Sequence, residues 1–340
     1  MCHQGSRVDF FYTAFLLPDR SGGTSMNEMQ LFRNFNLGTE ISIAGSFAYN
    51  AITNLNNSQN ISEDDQIFLF LYNAAVSIER MQKCVLFMYA DLKAEDINPF
   101  ADKIKIHHHQ DLQNRINFLT GLKLSQDQNA FLLLLQDFYA IGRYSNFENN
   151  ADYSYTQKLK SFVENRFEPS MLIPDFLGKK KLISENAKER LGRTMGKILR
   201  SYYTLIRDKA RELNLYTYEL RPGSPAEKVF YNQDSNASLQ ALIQKDKIAL
   251  LELIVYLSNN TETTGFFQYL RSIPCLEFDP AMIQEYIADI ANKQLSQALV
   301  DEVMTLYEDI PSDKMFERKE ILTPVGDPHC IFDFDDDEDE

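Results

Sequence analysis

Three of the chain's five histidines stand side by side in the stretch KIKIHHHQDLQNRINFL, residues 103–119. Imidazole moves protons near neutral pH and ligates metals, so His107, His108 and His109 are the first candidates for chemistry. Geometry limits what they can do together. On a helix, successive side chains diverge by about 100°, so three in a row cannot face one ion. On an extended segment His107 and His109 share a side and offer two ligands, with a third needed from elsewhere. The spacings that build metal centres, H-E-x-x-H or Glu-x-x-His on paired helices, are absent. So are a P-loop, a G-x-G-x-x-G after a strand and a G-x-S-x-G elbow. We therefore expect neither metal nor cofactor. The plainer alternative turns one histidine inward onto a buried polar partner and leaves the others in solvent.

A second candidate is electrostatic. The chain carries a formal charge of −15 over 340 residues, which argues against broad, unspecific nucleic-acid binding. Yet between Lys179 and Arg211 eleven Lys/Arg face only three acids, a local +8. Arg190, Arg193, Lys197, Arg200, Arg207 and Arg211 recur at steps of three, four and seven, which places them on one helix face. Such a face is either solvated charge held in weak surface pairs or an anion-binding strip for RNA, a nucleotide or an acidic partner. At the other extreme, DFDDDEDE closes the chain with seven acids in eight residues. It reads as a solubility tail, or as a segment that folds back and competes for the strip.

The elements that must position these residues are helical. Only 13 Gly and 11 Pro interrupt the chain, and apolar residues recur at helical spacing. Helices are expected over 27–57, over 62–92 behind Ser62 as N-cap, and up to Gly121. A further one covers 125–142, where Ser125 and Gln128 form a capping box, with another near 155–167. The run 62–92 is apolar nearly all round and should be central. Helix 184–214 carries an apolar stripe of Leu191, Met195, Ile198, Tyr202, Leu205 and Leu213. Loops are expected at KAEDINPFADK and EPSMLIPDFLGKKK. LYTYELRPGSPAEKVF (215–230) is the piece with strand-like composition, suited to a short extended segment or a turn. Helices are expected again at 237–258 and 262–272. A long helix should start at Asp279-Pro280 and run to Ile310. The fold class is all-α.

Within these helices, AAVSIERMQKCVLFMY (74–89) sets Glu79, Arg80 and Lys83 into an apolar surface, and HQDL (109–112) opens the next helix after a loop. This order resembles the HEPN superfamily of all-α four-helix domains, over about residues 30–215. Their second helix carries an acidic-then-basic pair, and a His-Asp-Leu-like segment opens the third; HQDL has one residue more. DFYAIGRYSNF (137–147) is similar to the Arg-Tyr segment near the end of several such domains. The resemblance implies a bacterial stress, toxin–antitoxin or phage-defence role, often as a dimer or with a protein partner. Many HEPN domains are metal-independent ribonucleases using Arg-x(4–6)-His, with histidine in proton transfer and arginine on the phosphorane charge. Here Arg143 is followed by Glu148, Asn149 and Asn150 where that histidine would stand, and no arginine of the chain has a histidine at that spacing. The resemblance therefore implies a non-catalytic protein. The alternative is a divergent ribonuclease in which one of His107–His109 reaches Arg143 in space, with Glu79 as a further candidate.

The domain organisation expected is a flexible segment 1–25, an HEPN-like helical domain 26–232, a helical region 233–312 and a flexible linker with the acidic tail, 313–340. Synthesis beginning at Met26 is an alternative to a 25-residue appendage. A third functional reading is a structural adaptor whose 280–310 helix docks a partner through Ile283, Ile287, Ile290 and Val303. Cys2, Cys84, Cys275 and Cys330 share no CxxC spacing and read as unpaired thiols of a reducing compartment. VDFFYTAFLL (8–17) is too short to span a bilayer, so a cytoplasmic location without membrane contact is expected.

Overall fold

The structure is a computed structural model that describes residues 26–58, 60–61, 64–147, 154–174, 181–231, 239–262, 265–293, 296–308, 311–327 and 330–332. The fold is all-α, with one two-stranded hairpin. Several sequence expectations fall outside the described residues. They are the segment 1–25, the Ser62 cap, residues 148–150, Lys179, Lys180, Cys2 and the acidic tail 333–340.

The chain divides into two compact units. The first spans Ser25–Ile248, and the described residues from Ala249 onward belong to the second. In the first unit, α1 (Glu28–Leu31) leads through a π-helical turn, Phe32–Asn36, into α2 (Leu37–Asn57). α3 (Asp64–Tyr89) is the central helix. It packs against α2, α5 (His109–Thr120), α6 (Gln126–Asp137), α7 (Tyr155–Arg166) and α8 (Glu185–Glu212). Small residues let α2 and α3 approach closely: Ala44, Ala48 and Ala51 face Ala74 and Ala75 in the core, all fully buried. Ser77 Oγ donates to Ala44 O across the pair at 2.8 Å. Around them Phe70, Leu71, Phe131, Phe138, Tyr202 and Tyr203 fill one continuous cluster. The burial of such side chains is the main stabilising term, about 1.5–3 kcal/mol each.

Both central helices end on a cation sent from elsewhere in the chain. The last carbonyls of a helix lack intrahelical donors and attract positive charge. Arg33 Nη2 donates to Ala90 O at 3.0 Å and to Phe87 O at 3.3 Å, closing α3. Lys188 is buried, and its Nζ donates to Asn56 O at 3.0 Å, closing α2, while Glu185 balances its charge at 2.9 Å. The expected capping box at Ser125 and the stop at Gly121, φ 75°, are present, and Ser184 also caps α8.

Gly192 of α8 lies beneath Gln240, at the start of α10 (Gln240–Asn259). The Gln240 amide is buried and donates to Lys188 O at 2.6 Å. A Cβ at Gly192 would overlap that amide. Gly192→Ala is therefore expected to cost about 1–3 kcal/mol in urea unfolding, and Gln240→Ala should recover part of it in the double variant. A change below about 0.5 kcal/mol would mean that the Gln240 side chain vacates the position freely.

Two sequence expectations of this unit are corrected. KAEDINPFADK is a 3₁₀ turn followed by α4 (Ile97–Lys103), because Pro99 falls in the first helical turn, where its missing N–H costs nothing. The EPSMLIPDFLGKKK loop contributes to a hairpin, in which β1 (Leu172–Pro174) pairs antiparallel with β2 (Lys181–Ile183) and Leu172 and Ile183 are buried. The piece with strand-like composition, 215–230, takes the turn alternative, followed by a short helix. It makes a 3₁₀ turn, Tyr218–Leu220, then Gly223 at φ 83°, then α9 (Pro225–Phe230), with Ser224 as N-cap and Pro225 at the first helical position.

In the second unit, α10 continues from the first and is succeeded by α11 (Gly265–Ser272). The single helix expected over 280–310 is two, α12 (Ile283–Ala291) and α13 (Gln297–Glu308). Asp279 spends its carboxylate on Ala281 N at 2.9 Å, which makes a turn at 280–282 rather than a cap, and Lys293 at φ 56° breaks the run. The seam proposed for an adaptor is thereby split between two helices, with Ile283 and Ile290 exposed. The stretch expected to be a linker contains α14 (Ser312–Leu322). Cys84 and Cys275 are free thiols. Among the described residues no helix is long and apolar enough to cross a membrane.

Candidate functional site

Among the described residues two helical turns are π-helical, and both border the same cleft. In Phe32–Asn36, Leu37 N bonds back to Phe32 O. In Phe138–Gly142, Arg143 N bonds to Phe138 O at 2.9 Å. One extra residue in the ladder rotates the downstream side chains by about 100°, and such bulges concentrate at functional sites. The cleft encloses about 750 Å³. Phe32, Phe35 and Asn36 come from the first turn and Tyr139 from the second, with Glu79, Arg80 and Lys83 from α3 and His107 from the approach to α5.

Its polar side is a chain of paired charges. Glu79 is nearly buried and accepts from Lys83 Nζ at 2.7 Å and from His107 Nδ1 at 2.9 Å. Burial works against its charge, yet the hydrogen bonds from Lys83 and His107 outweigh burial and hold its pKa below the usual carboxylate range. Arg80 pairs with Glu40 across α2 and α3. With Nδ1 donating to Glu79, the neutral His107 ring keeps Nε2 as its basic nitrogen.

Tyr139 joins the cleft to the predicted arginine. The His107 ring lies 4.9 Å from the Tyr139 ring. The Arg143 guanidinium is sandwiched between Tyr139 at 4.2 Å and Tyr144 at 4.7 Å. Burial, reinforced by Glu79, raises the Tyr139 pKa, so the phenol stays protonated and available as a donor. Imidazole and guanidinium thus lie on one aromatic ring, and the Glu79 carboxylate is bound to the imidazole, the parts of an acid–base site for phosphate chemistry. His107 and Arg143 meet through that ring rather than through a hydrogen bond.

The other histidines go elsewhere. His108 is exposed beside Asp111 at 3.4 Å. His109 is fully buried, and its Nδ1 donates to Gln82 Oε1 at 3.1 Å. Gln82 Nε2 donates in turn to His109 O at 2.9 Å and to Tyr202 Oη at 3.1 Å, and Tyr202 donates to Gln113 at 2.7 Å. His109 Nε2 has no partner, and burial lowers the imidazole pKa to about 4. This histidine is an interior structural group. Among the described residues no group of three or more His, Cys, Asp or Glu stands together to hold a metal.

The basic face of α8 is half-covered. Arg190 lies over Phe167 at 4.6 Å, while Arg200 and Arg207 lie over Tyr231 at 5.0 and 4.0 Å. Arg193 pairs with Glu189 at 3.1 Å, and Arg211 approaches Asp208 at 3.6 Å. Lys197 is exposed. Sequence reasoning did not identify Gln82, Tyr139 or Tyr231. Tyr139 precedes Arg143 by four residues, a helical neighbour, and was within reach; Tyr231 was not, since only the turn at 222–225 brings it to α8.

Compared with known proteins, the chain matches no family model, no curated protein and no solved structure.

Proposed function

We propose that this chain is a non-catalytic, HEPN-like interaction or regulatory protein of a bacterial stress, toxin–antitoxin or phage-defence system. It works in the cytoplasm with a protein partner or as a homodimer, and holds RNA or a nucleotide on the basic face of α8. The observation that carries this reading is the face itself, where six cations lie along one side of a helix and three of them are spread over aromatic rings. Cations so oriented are pre-positioned for phosphate. The test is binding of the full-length protein to a short oligoribonucleotide and to mononucleotides over a salt series. Binding that weakens as salt rises is expected; no binding at about 50 mM salt removes the reading.

The alternative is a divergent, metal-independent ribonuclease, favoured by one specific arrangement. Glu79 fixes the His107 tautomer, and Tyr139 lies between that imidazole and Arg143. In this reading His107 Nε2 takes the ribose 2′-OH proton and Arg143 stabilises the phosphorane. RNA cleavage in excess EDTA, lost by about 10²-fold or more in His107→Ala and in Arg143→Ala, would displace the non-catalytic reading. Absence of cleavage by the unmodified protein retains it.

A further inference from the structure

The cations of the α8 face are not equivalent. Arg190, Arg193 and Arg211 have acids at 3.8, 3.1 and 3.6 Å, namely Glu168, Glu189 and Asp208. Asp208 also lies 3.7 Å from Arg207 Nε, so one exposed carboxylate is divided between two guanidiniums. Among the described residues Lys197 and Arg200 have no ion-pair partner. Uncompensated charge therefore collects in the middle of the face.

Arg200 and Arg207 are two helical turns apart, about 10 Å along the axis. Extended freely, they would present two separate charges. Instead both guanidiniums converge on the ring of Tyr231, 5.0 and 4.0 Å from its centroid. Arg207 is mostly covered, and its Nε has no hydrogen-bond partner. The two nearby arginines, Arg207 foremost, hold the Tyr231 pKa below the ordinary phenol value. Two guanidiniums thus meet over one ring, with Lys197 one turn before Arg200.

We propose that Lys197, Arg200, Arg207 and Tyr231 form a site for a single phosphate monoester, the terminal phosphate of a mononucleotide or of an RNA 5′ end. The inference rests on the nucleic-acid reading of the α8 face and narrows it. Converging cations suit a point dianion, whereas an extended backbone requires charges spaced along it. Arginine forks bind phosphate oxygens two at a time. The Tyr231 ring is already engaged by two guanidiniums and offers no platform for a base, so the site reads phosphate and ignores the base.

The test uses the full-length protein and a labelled octaribonucleotide in 5′-phosphate and 5′-hydroxyl forms. The phosphorylated form should bind about tenfold tighter or better. AMP and CMP should compete equally and adenosine not at all, and competition by inorganic phosphate reports the phosphate alone. Arg200→Gln with Arg207→Gln should abolish the preference, and Tyr231→Leu, which removes the ring that gathers them, should reduce it with the fold intact by circular dichroism. Lys93→Gln, an exposed cation away from the α8 face, should leave it unchanged. Equal binding of the two oligonucleotides, or a preference that survives the double substitution, overturns the site while leaving the face as a nucleic-acid surface. No binding of either oligonucleotide or of AMP overturns both.

Discussion

Phe138→Ala is expected to lower stability by about 3–5 kcal/mol, the largest effect of any single truncation near the cleft. Phe138 is fully buried and opens the second π turn. Its ring meets Phe68 edge-on at 5.2 Å and Tyr155 at 5.9 Å, so one side chain ties the turn to α3 and α7 together. Removing it leaves a cavity that three helices border and none can fill alone. The turn that aims Tyr139 and presents Arg143 loses its anchor in the same step. Urea unfolding monitored by circular dichroism reads the first effect, and faster amide exchange at Tyr139–Arg143 reads the second. Leu133→Ala, on an exposed position of the preceding helix, is the control and should stay within about 0.5 kcal/mol. A cost near that of the control would show that Phe138 does not anchor the turn.

The second large effect is a loss of stability on mild acidification. His109 is neutral in the interior with a pKa of about 4, against about 6.5 for the unfolded chain. Between those values the unfolded state binds the extra proton, so unfolding free energy rises with pH across that window. Stability is therefore full above about pH 6.5, falls as pH drops, and is lower by about 3 kcal/mol near pH 4. Glu79 acts in a separate window. Its depressed pKa gives a contribution that is present above the normal carboxylate value and lost only as pH falls through the lower folded one. His109→Asn keeps a donor toward Gln82 and removes the titration. The thermal midpoint of the variant should be flatter from pH 6.5 to 4.5 than that of the parent. Identical profiles would mean that His109 does not carry the effect.

Much of the helical frame was legible because its signals are local. Ser125 with Gln128 and Gly121 mark helix ends through bonds that span a few residues, and the apolar stripe of α8 comes from period alone. The misreadings have equally local causes. Asp279-Pro280 resembles a helix start, but its carboxylate closes a turn first, and Lys293 adopts a left-handed backbone that no pattern signals. The site was legible by residue type and not by arrangement. The histidine triplet drew attention, yet which ring is buried depends on Gln82 and Tyr202, 27 and 120 residues away along the chain from their partners. Neither π turn carries a composition mark, since a one-residue offset in a helical ladder is settled by packing rather than by propensity.

The cations that close α2 and α3 impose an order on the growing chain. Arg33 precedes the carbonyls it serves, so α3 can be finished once residue 90 has left the ribosome. The terminus of α2 has no such luck, because its lysine lies 132 residues downstream. Every nascent intermediate shorter than about 190 residues leaves the Asn56 carbonyl at the end of α2 without its lysine. The first unit of this protein is thus a late-closing fold, and a fragment cut before α8 lacks the lysine that seals its oldest helix.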